Sequence, residues 1–207
     1  MRESDKARDA PAPYPGYDVL AKWRTPSFDD RTREVLAARL NEAPPRRFLT
    51  PDELSLLDAV VERLAPPLPG LEPRLLALWI DDRLHQNIGE GFRGPGAPPL
   101  QQCWRLGLAG VDAEARRRFE TAFADLAPDA RDETLRAIEH GDIDAALWGG
   151  LDAASFFAGT LSKTVAGLAY AHPSAWSDIG FGGPASPRGY VRLGFDARDP
   201  WEARERR

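Results

Sequence analysis

The chain has 207 residues, of which 43% are hydrophobic and 29% charged, and its formal net charge is −5. This length is sufficient for a domain with its own core, so neither disulfides nor a structural metal is needed to hold the fold. The excess of acidic over basic side chains argues against nucleic acid as a partner. Cys103 is the single cysteine, which excludes an internal disulfide and every multi-cysteine metal site.

Membrane insertion is not expected, because a spanning helix needs about 20 consecutive apolar residues. The most apolar stretch, residues 153–171, is interrupted by Lys163 and by small polar residues. The first residues carry charges without an apolar stretch behind them, and they lack a twin-arginine pair. The sequence as written therefore predicts a cytoplasmic protein. A periplasmic location would require export with a partner or a start further upstream.

Residues 1–47 are predicted to form an N-terminal arm with one short helix. The segment 10–16 alternates proline with small residues, which is typical of an extended arm. A helix is expected from about residue 29 to residue 40, with Ser27 as its cap, and the two prolines at 44–45 break the chain after it.

The clearest helix start is the segment Thr50-Pro51-Asp52-Glu53, where Thr50 and Glu53 can form a capping box. Apolar residues at helical spacing follow until the prolines at 66–67. A second helix is predicted from about residue 73 to residue 88. Its apolar face consists of Leu76, Ile80, Leu84 and Ile88.

Further helices are predicted after the Gly- and Pro-rich loop 89–99. A short one ends near Gly110, and Asp112 caps the next, with Phe119, Phe123 and Leu126 as its buried stripe. Pro128 opens another, which stops at Gly141. The last spans roughly 152–170 and buries Phe156, Leu161, Val165 and Leu168.

No convincing strand pattern occurs, so the predicted fold is all-α. We expect a compact multi-helix bundle with extended, irregular Pro- and Gly-rich N- and C-terminal segments. The predicted organisation is an arm at 1–47, a helical domain at 48–190 and a charged tail at 191–207.

The motifs that suggest chemistry all have a more ordinary interpretation. The G-x-G-x-x-G string at 89–94 follows a helix and runs into prolines, whereas a dinucleotide site requires it between a strand and a helix. His85 shares a helix face with Asp81, but a di-metal bundle would need this motif twice. Cys103 lies among apolar residues and is expected to be a small core side chain. The sequence therefore predicts no catalytic, cofactor-binding or metal-binding residue in this chain.

The segment 171–190 is unusual because it is rich in glycine and proline and yet carries large apolar side chains. A disordered linker is normally poor in aromatic residues. These side chains need a surface to lie on, either the chain's own helices or a partner protein. The predicted partner-interface residues are His172, Trp176, Ile179, Phe181, Gly182, Gly183 and Tyr190.

The ordered set of these features resembles the gluconate 2-dehydrogenase subunit 3 family over about residues 48–190. The resemblance begins with Phe48-Leu-Thr-Pro-Asp-Glu-Leu and continues through the break at 66–70 and the Ile80-Asp81 helix. It closes with the phenylalanine-rich helix and the motifs His172-Pro173, Trp176, Ile179-Gly180, Gly182-Gly183-Pro184 and Gly189-Tyr190.

The resemblance implies a non-catalytic accessory subunit without a cofactor of its own. In such systems a large flavoprotein of the glucose–methanol–choline type binds FAD and oxidises gluconate or a related sugar or polyol, and a cytochrome c subunit often accepts the electrons. The small subunit assists folding, assembly or FAD retention of the large one. The alternative hypothesis is a self-contained helical protein with a small-molecule or metal site near His85 or His172.

Overall fold

The computed structural model describes residues 14–68, 70–89, 96–184 and 203–204. Every regular element in these ranges is helical, and none of them contains a strand. The all-α prediction is therefore confirmed. The G-x-G-x-x-G string at 89–94 lies mostly outside the described residues.

The α-helices are α1 (Asp30–Asn41), α2 (Pro51–Leu64), α3 (Pro73–His85), α4 (Leu100–Phe119), α5 (Pro128–His140), α6 (Ala153–Ser155), α7 (Lys163–Ala171) and α8 (Pro173–Asp178). Short 3-10 helices lie at Val19–Lys22, Phe123–Asp125 and Ala145–Trp148, and a π-helical segment lies at Phe156–Ser162.

The chain forms two compact units that interleave along the sequence. The first consists of Met1–Glu42, Pro67–Leu71 and Ala169–Arg207, and the second of Ala43–Pro66 and Glu72–Leu168. The division into 1–47, 48–190 and 191–207 stays a prediction, since much of the segment after Pro184 lies outside the described residues.

In the second unit, α2 begins with the predicted capping box. The Thr50 hydroxyl accepts the Glu53 amide at 3.2 Å, and the Glu53 carboxylate accepts the Thr50 amide at 2.8 Å. These two bonds satisfy amides that a helix start leaves without intrahelical partners. The next helix, α3, ends at His85 and not at residue 88, because Asn87 adopts a left-handed conformation with φ 54°.

The predicted break between residues 110 and 112 is wrong, since α4 runs without interruption to Phe119. A Cβ atom at Gly107 would lie 2.2 Å from the Phe156 ring, and one at Gly110 would lie 2.6 Å from the Trp148 indole. These glycines therefore allow aromatic rings to approach the helix backbone. The Asp112 side chain accepts the Phe123 amide at 2.9 Å and starts no new helix.

Phe123 and Leu126 are buried as predicted, whereas Phe119 is only half-buried. The predicted α-helical stripe is wrong, because Phe123 lies in a 3-10 helix and Leu126 directly follows it. The α5 prediction is confirmed: Pro128 is its first residue, and Gly141 ends it with φ 75°.

The helix predicted at roughly 152–170 is present, but its backbone hydrogen-bonding pattern changes from α-helical to π-helical and back. The Asp152 side chain accepts the Ser155 amide at 2.7 Å, and the helix then widens into the π-helical segment before α7. The four side chains predicted to face the core are buried, namely Phe156, Leu161, Val165 and Leu168.

In the first unit, two predictions are corrected. Asp29 and not Ser27 caps α1, because the Asp29 carboxylate accepts the Thr32 amide at 2.7 Å. The segment after residue 171, predicted to be irregular, contains the six-residue helix α8. The core of this unit joins side chains from both ends of the chain, namely Val19, Phe28, Leu36, Ala175 and Trp176.

Candidate partner-binding surface

The start of α8 is fixed by His172, whose side chain caps the helix. The imidazole Nδ1 accepts the Ser174 amide at 3.2 Å, and Pro173 occupies the first helical position. A proline is well suited to that position because its missing N–H would have no partner there. The His172 side chain is fully buried, so its role lies within the first unit.

Trp176 anchors α8 in the core of the same unit. The indole is only 4% exposed, and its Nε1–H donates to the Tyr170 carbonyl at 3.0 Å. One edge of its ring system contacts Phe181, with ring centroids 5.3 Å apart and planes at 88°. This edge-to-face geometry is the favourable one for aromatic pairs. Trp176 therefore connects Tyr170 and Phe181 to the buried core of the first unit.

Three large apolar side chains remain exposed between residues 170 and 181. Tyr170 is 45% exposed, Ile179 46% and Phe181 39%. We call these three residues the 170–181 surface. Tyr170 and Phe181 are both linked to the buried Trp176, and the Phe181 amide also donates to the Trp176 carbonyl at 2.8 Å. The backbone of Tyr170 and both the backbone and the ring of Phe181 are thus connected to Trp176.

The chain that follows α8 bends closely over the N-terminal part of the first unit. Gly180 has φ 68°, and a Cβ atom there would lie 2.6 Å from the Tyr14 ring. The Gly182 carbonyl accepts a hydrogen bond from the Lys22 ammonium at 2.6 Å. The Lys22 side chain is almost fully buried, so this bond satisfies a charged group inside the unit. The positive φ and the short Cβ distance at Gly180 both favour glycine at that position.

Six of the seven predicted interface residues are described by the structure, and they divide into two groups. His172, Trp176 and Gly183 are buried in the first unit, whereas Ile179, Phe181 and Gly182 are exposed. Tyr190 lies outside the described residues. Tyr170 was not among the predicted interface residues. The helical spacing of the buried Leu161, Val165 and Leu168 was the signal that could have identified it, because this spacing leaves Tyr170 on the exposed side of the helix.

In the second unit, the Asp81 carboxylate is not available to bind a metal ion together with His85. The buried Asp81 carboxylate accepts the amides of Arg47, Phe48 and Leu49 at 2.5, 3.1 and 2.6 Å. His85 is exposed at the end of α3. Among the described residues, no group of three or more His, Cys, Asp or Glu side chains is placed to hold a metal ion.

Cys103 lies half-buried on α4. Burial raises the pKa of its thiol, and a hydrogen bond with the Thr160 side chain opposes this effect. A thiol with a raised pKa carries little thiolate, which is the nucleophilic form. In the described part of the chain, no helix is long and apolar enough to cross a membrane.

The described residues form a helical protein in which three large apolar side chains between residues 170 and 181 stay exposed, and exposed apolar patches often mark sites that bind other proteins. A comparison with protein families matches residues 51–183 to Gluconate 2-dehydrogenase subunit 3. The match covers more than half of the chain, which therefore belongs to the gluconate 2-dehydrogenase subunit 3 family. The family name places the chain in a multi-subunit gluconate dehydrogenase complex. No curated protein and no solved structure matches this chain.

Proposed function

We propose that this chain is the non-catalytic accessory subunit of a flavin-dependent dehydrogenase complex that oxidises gluconate or a related sugar or polyol. Its large subunit, of the glucose–methanol–choline type, holds the FAD, and a cytochrome c subunit receives the electrons. The accessory subunit assists the folding, assembly or FAD retention of the large one. Membership of the subunit 3 family is the observation that supports this proposal.

The 170–181 surface is the proposed contact with the large subunit. Isolated exposed apolar side chains are common, but here the Tyr170 carbonyl and the Phe181 ring both contact one buried tryptophan, and Ile179 lies between them in the sequence. Aromatic residues on a preorganised base bind with a low loss of side-chain freedom, which is why they dominate interface energetics. His172, Trp176 and Gly183 contribute by holding these side chains in place.

The proposal is tested by recovering the chain with its partners from the native host. A tagged copy is expressed at its natural level, and the purified material is analysed by absorption spectroscopy and mass spectrometry. We expect a large polypeptide with a flavin spectrum to co-purify, together with a haem spectrum where the cytochrome is retained. Isolation of the chain alone, or flavin bound to the chain itself, would contradict the proposal.

The contact surface is tested in the same assay with paired substitutions. The double variant Ile179→Ser/Phe181→Ser removes two members of the surface. The variant Val35→Ser is the control, because Val35 is 38% exposed in the same unit but lies on α1. Loss of well-buried interface anchors costs about 2 kcal/mol or more, which corresponds to a roughly thirtyfold loss of affinity. Equal recovery of the flavoprotein by both variants would place the contact elsewhere.

A further inference from the structure

The buried His172 imidazole lies between the end of α7 and the start of α8. Its Nδ1 accepts the Ser174 amide of α8 at 3.2 Å, and Arg39 on α1 is near enough to influence the pKa of the ring. The Arg39 guanidinium in turn donates to the Ala171 carbonyl at the end of α7, at 3.3 Å. The N-terminal end of α8 is therefore capped by a titratable side chain.

The capping bond requires a neutral imidazole. A backbone N–H can only donate, so Nδ1 must present its lone pair to Ser174. Protonation at Nδ1 would convert the acceptor into a donor that faces another donor. It would also place a positive charge at the N-terminal end of α8, where the orphan amides already carry partial positive charge.

The described residues place a cation beside the ring. Arg39 is the charged group that acts on it, and its charge disfavours protonation. The neighbouring elements also carry Asp178 on α8 and Lys22 on the 3-10 helix Val19–Lys22, whose ammonium donates to the Gly182 carbonyl, and the segment Pro67–Leu71 carries no charged residue. Burial lowers the pKa of His172 most strongly, while its hydrogen bond with the Arg39 backbone raises it.

We propose that His172 is a pH-sensitive lock, which keeps α8 in place while the imidazole is neutral and releases the helix when the imidazole is protonated. Opening exposes the ring to water, where its pKa returns to about 6.5. The open form therefore binds more protons than the closed form. The lock is fully effective above about pH 6.5, and its contribution is lost as the pH falls below that value towards the lower pKa of the closed form.

The lock bears on the 170–181 surface, because Trp176 on α8 links Tyr170 to Phe181. Release of α8 would separate these side chains, so partner binding would weaken in acid. This consequence rests on the proposed function, whereas the lock itself does not. The decisive experiment therefore uses the isolated chain, and its result is independent of any partner.

The experiment measures amide hydrogen exchange, corrected for intrinsic rates, between pH 8 and pH 5. The probes are the amides of Ser174, Ile179 and Phe181, which bond within or directly after α8. We expect their protection to fall below about pH 6.5, by up to about tenfold for each pH unit. The variant His172→Asn retains a capping oxygen that does not titrate, so its protection should not vary with pH. The control His140→Asn removes an exposed histidine on α5 and should behave like the wild type.

Nitrogen NMR of the wild-type imidazole tests the same lock without a substitution. We expect Nδ1 to be unprotonated at pH 7 and the ring to titrate below pH 6.5. A titration midpoint at or above 6.5 would overturn the proposal. So would protection that is constant down to pH 5 in the wild type, or a pH dependence that persists in His172→Asn.

Discussion

The Trp176 indole donates a hydrogen bond to the Tyr170 carbonyl at 3.0 Å, which ties α8 to the end of α7. Trp176 is buried, whereas Tyr170 and the neighbouring Phe181 are exposed. The two kinds of residue should therefore respond differently to truncation, one through stability and the other through binding.

Trp176→Ala should destabilise the protein by about 3 to 5 kcal/mol, because it leaves a large cavity in the first unit. Phe181→Ala should cost only about 1 to 2 kcal/mol, since its ring is partly in water and loses mainly one aromatic contact. The folded Phe181→Ala protein should nevertheless recover much less flavoprotein. Urea denaturation and co-purification measure the two quantities, and unchanged recovery by Phe181→Ala would show that this ring serves only the chain's own fold.

Asp81→Asn should destabilise the second unit by about 2 to 3 kcal/mol. The carboxylate accepts three amides, and an amide side chain would oppose at least one of these donors with its own NH2 group. Asp82→Asn is the matched control. Its carboxylate forms an ion pair with a half-exposed Arg47 at 3.3 Å, so its loss should cost at most about 1 kcal/mol. Similar denaturation midpoints for the two variants would contradict this assignment.

Gly107→Ala should destabilise the protein by about 1 to 3 kcal/mol, because the added methyl group overlaps the Phe156 ring. Gly159→Ala provides a control in the π-helical segment, where a Cβ atom meets nothing within 4 Å. That substitution should be neutral or slightly stabilising. Thermal unfolding of both variants checks the prediction, which fails if Gly107→Ala melts at the wild-type temperature.

Thr50→Ala should cost about 1 kcal/mol through loss of the α2 cap. Thr50→Ser keeps the hydroxyl and should retain most of that stability. The denaturant midpoint of each variant measures the difference. If Thr50→Ala has the midpoint of Thr50→Ser, the hydroxyl contributes nothing to the helix start.

The sequence was sufficient to predict those features of the fold that depend on contacts between residues close together in the chain. The capping box at Thr50 and Glu53 and the stop at Gly141 involve residues within one helical turn. The continuous α4 could not be predicted, because the reason for Gly107 and Gly110 lies in the rings of Phe156 and Trp148, which are distant in sequence. In α4, tertiary packing overrides the usual meaning of glycine as a helix breaker.

The candidate surface was predicted in part for the same reason. Periodicity identifies helices of several turns, whereas α8 has six residues and a histidine as its cap. The aromatic content of the segment did indicate that it lies against a surface. Only the packing separates the buried Trp176 from the exposed Ile179 and Phe181.

We propose that this chain assists a flavoprotein without holding the flavin itself. The most direct measurement is the FAD content of the large subunit from the native host, purified with and without this chain present during expression. We expect a large subunit with full flavin occupancy when the chain is present and a marked loss of flavin or of soluble protein when it is absent. Equal yield and equal flavin occupancy in both preparations would contradict it.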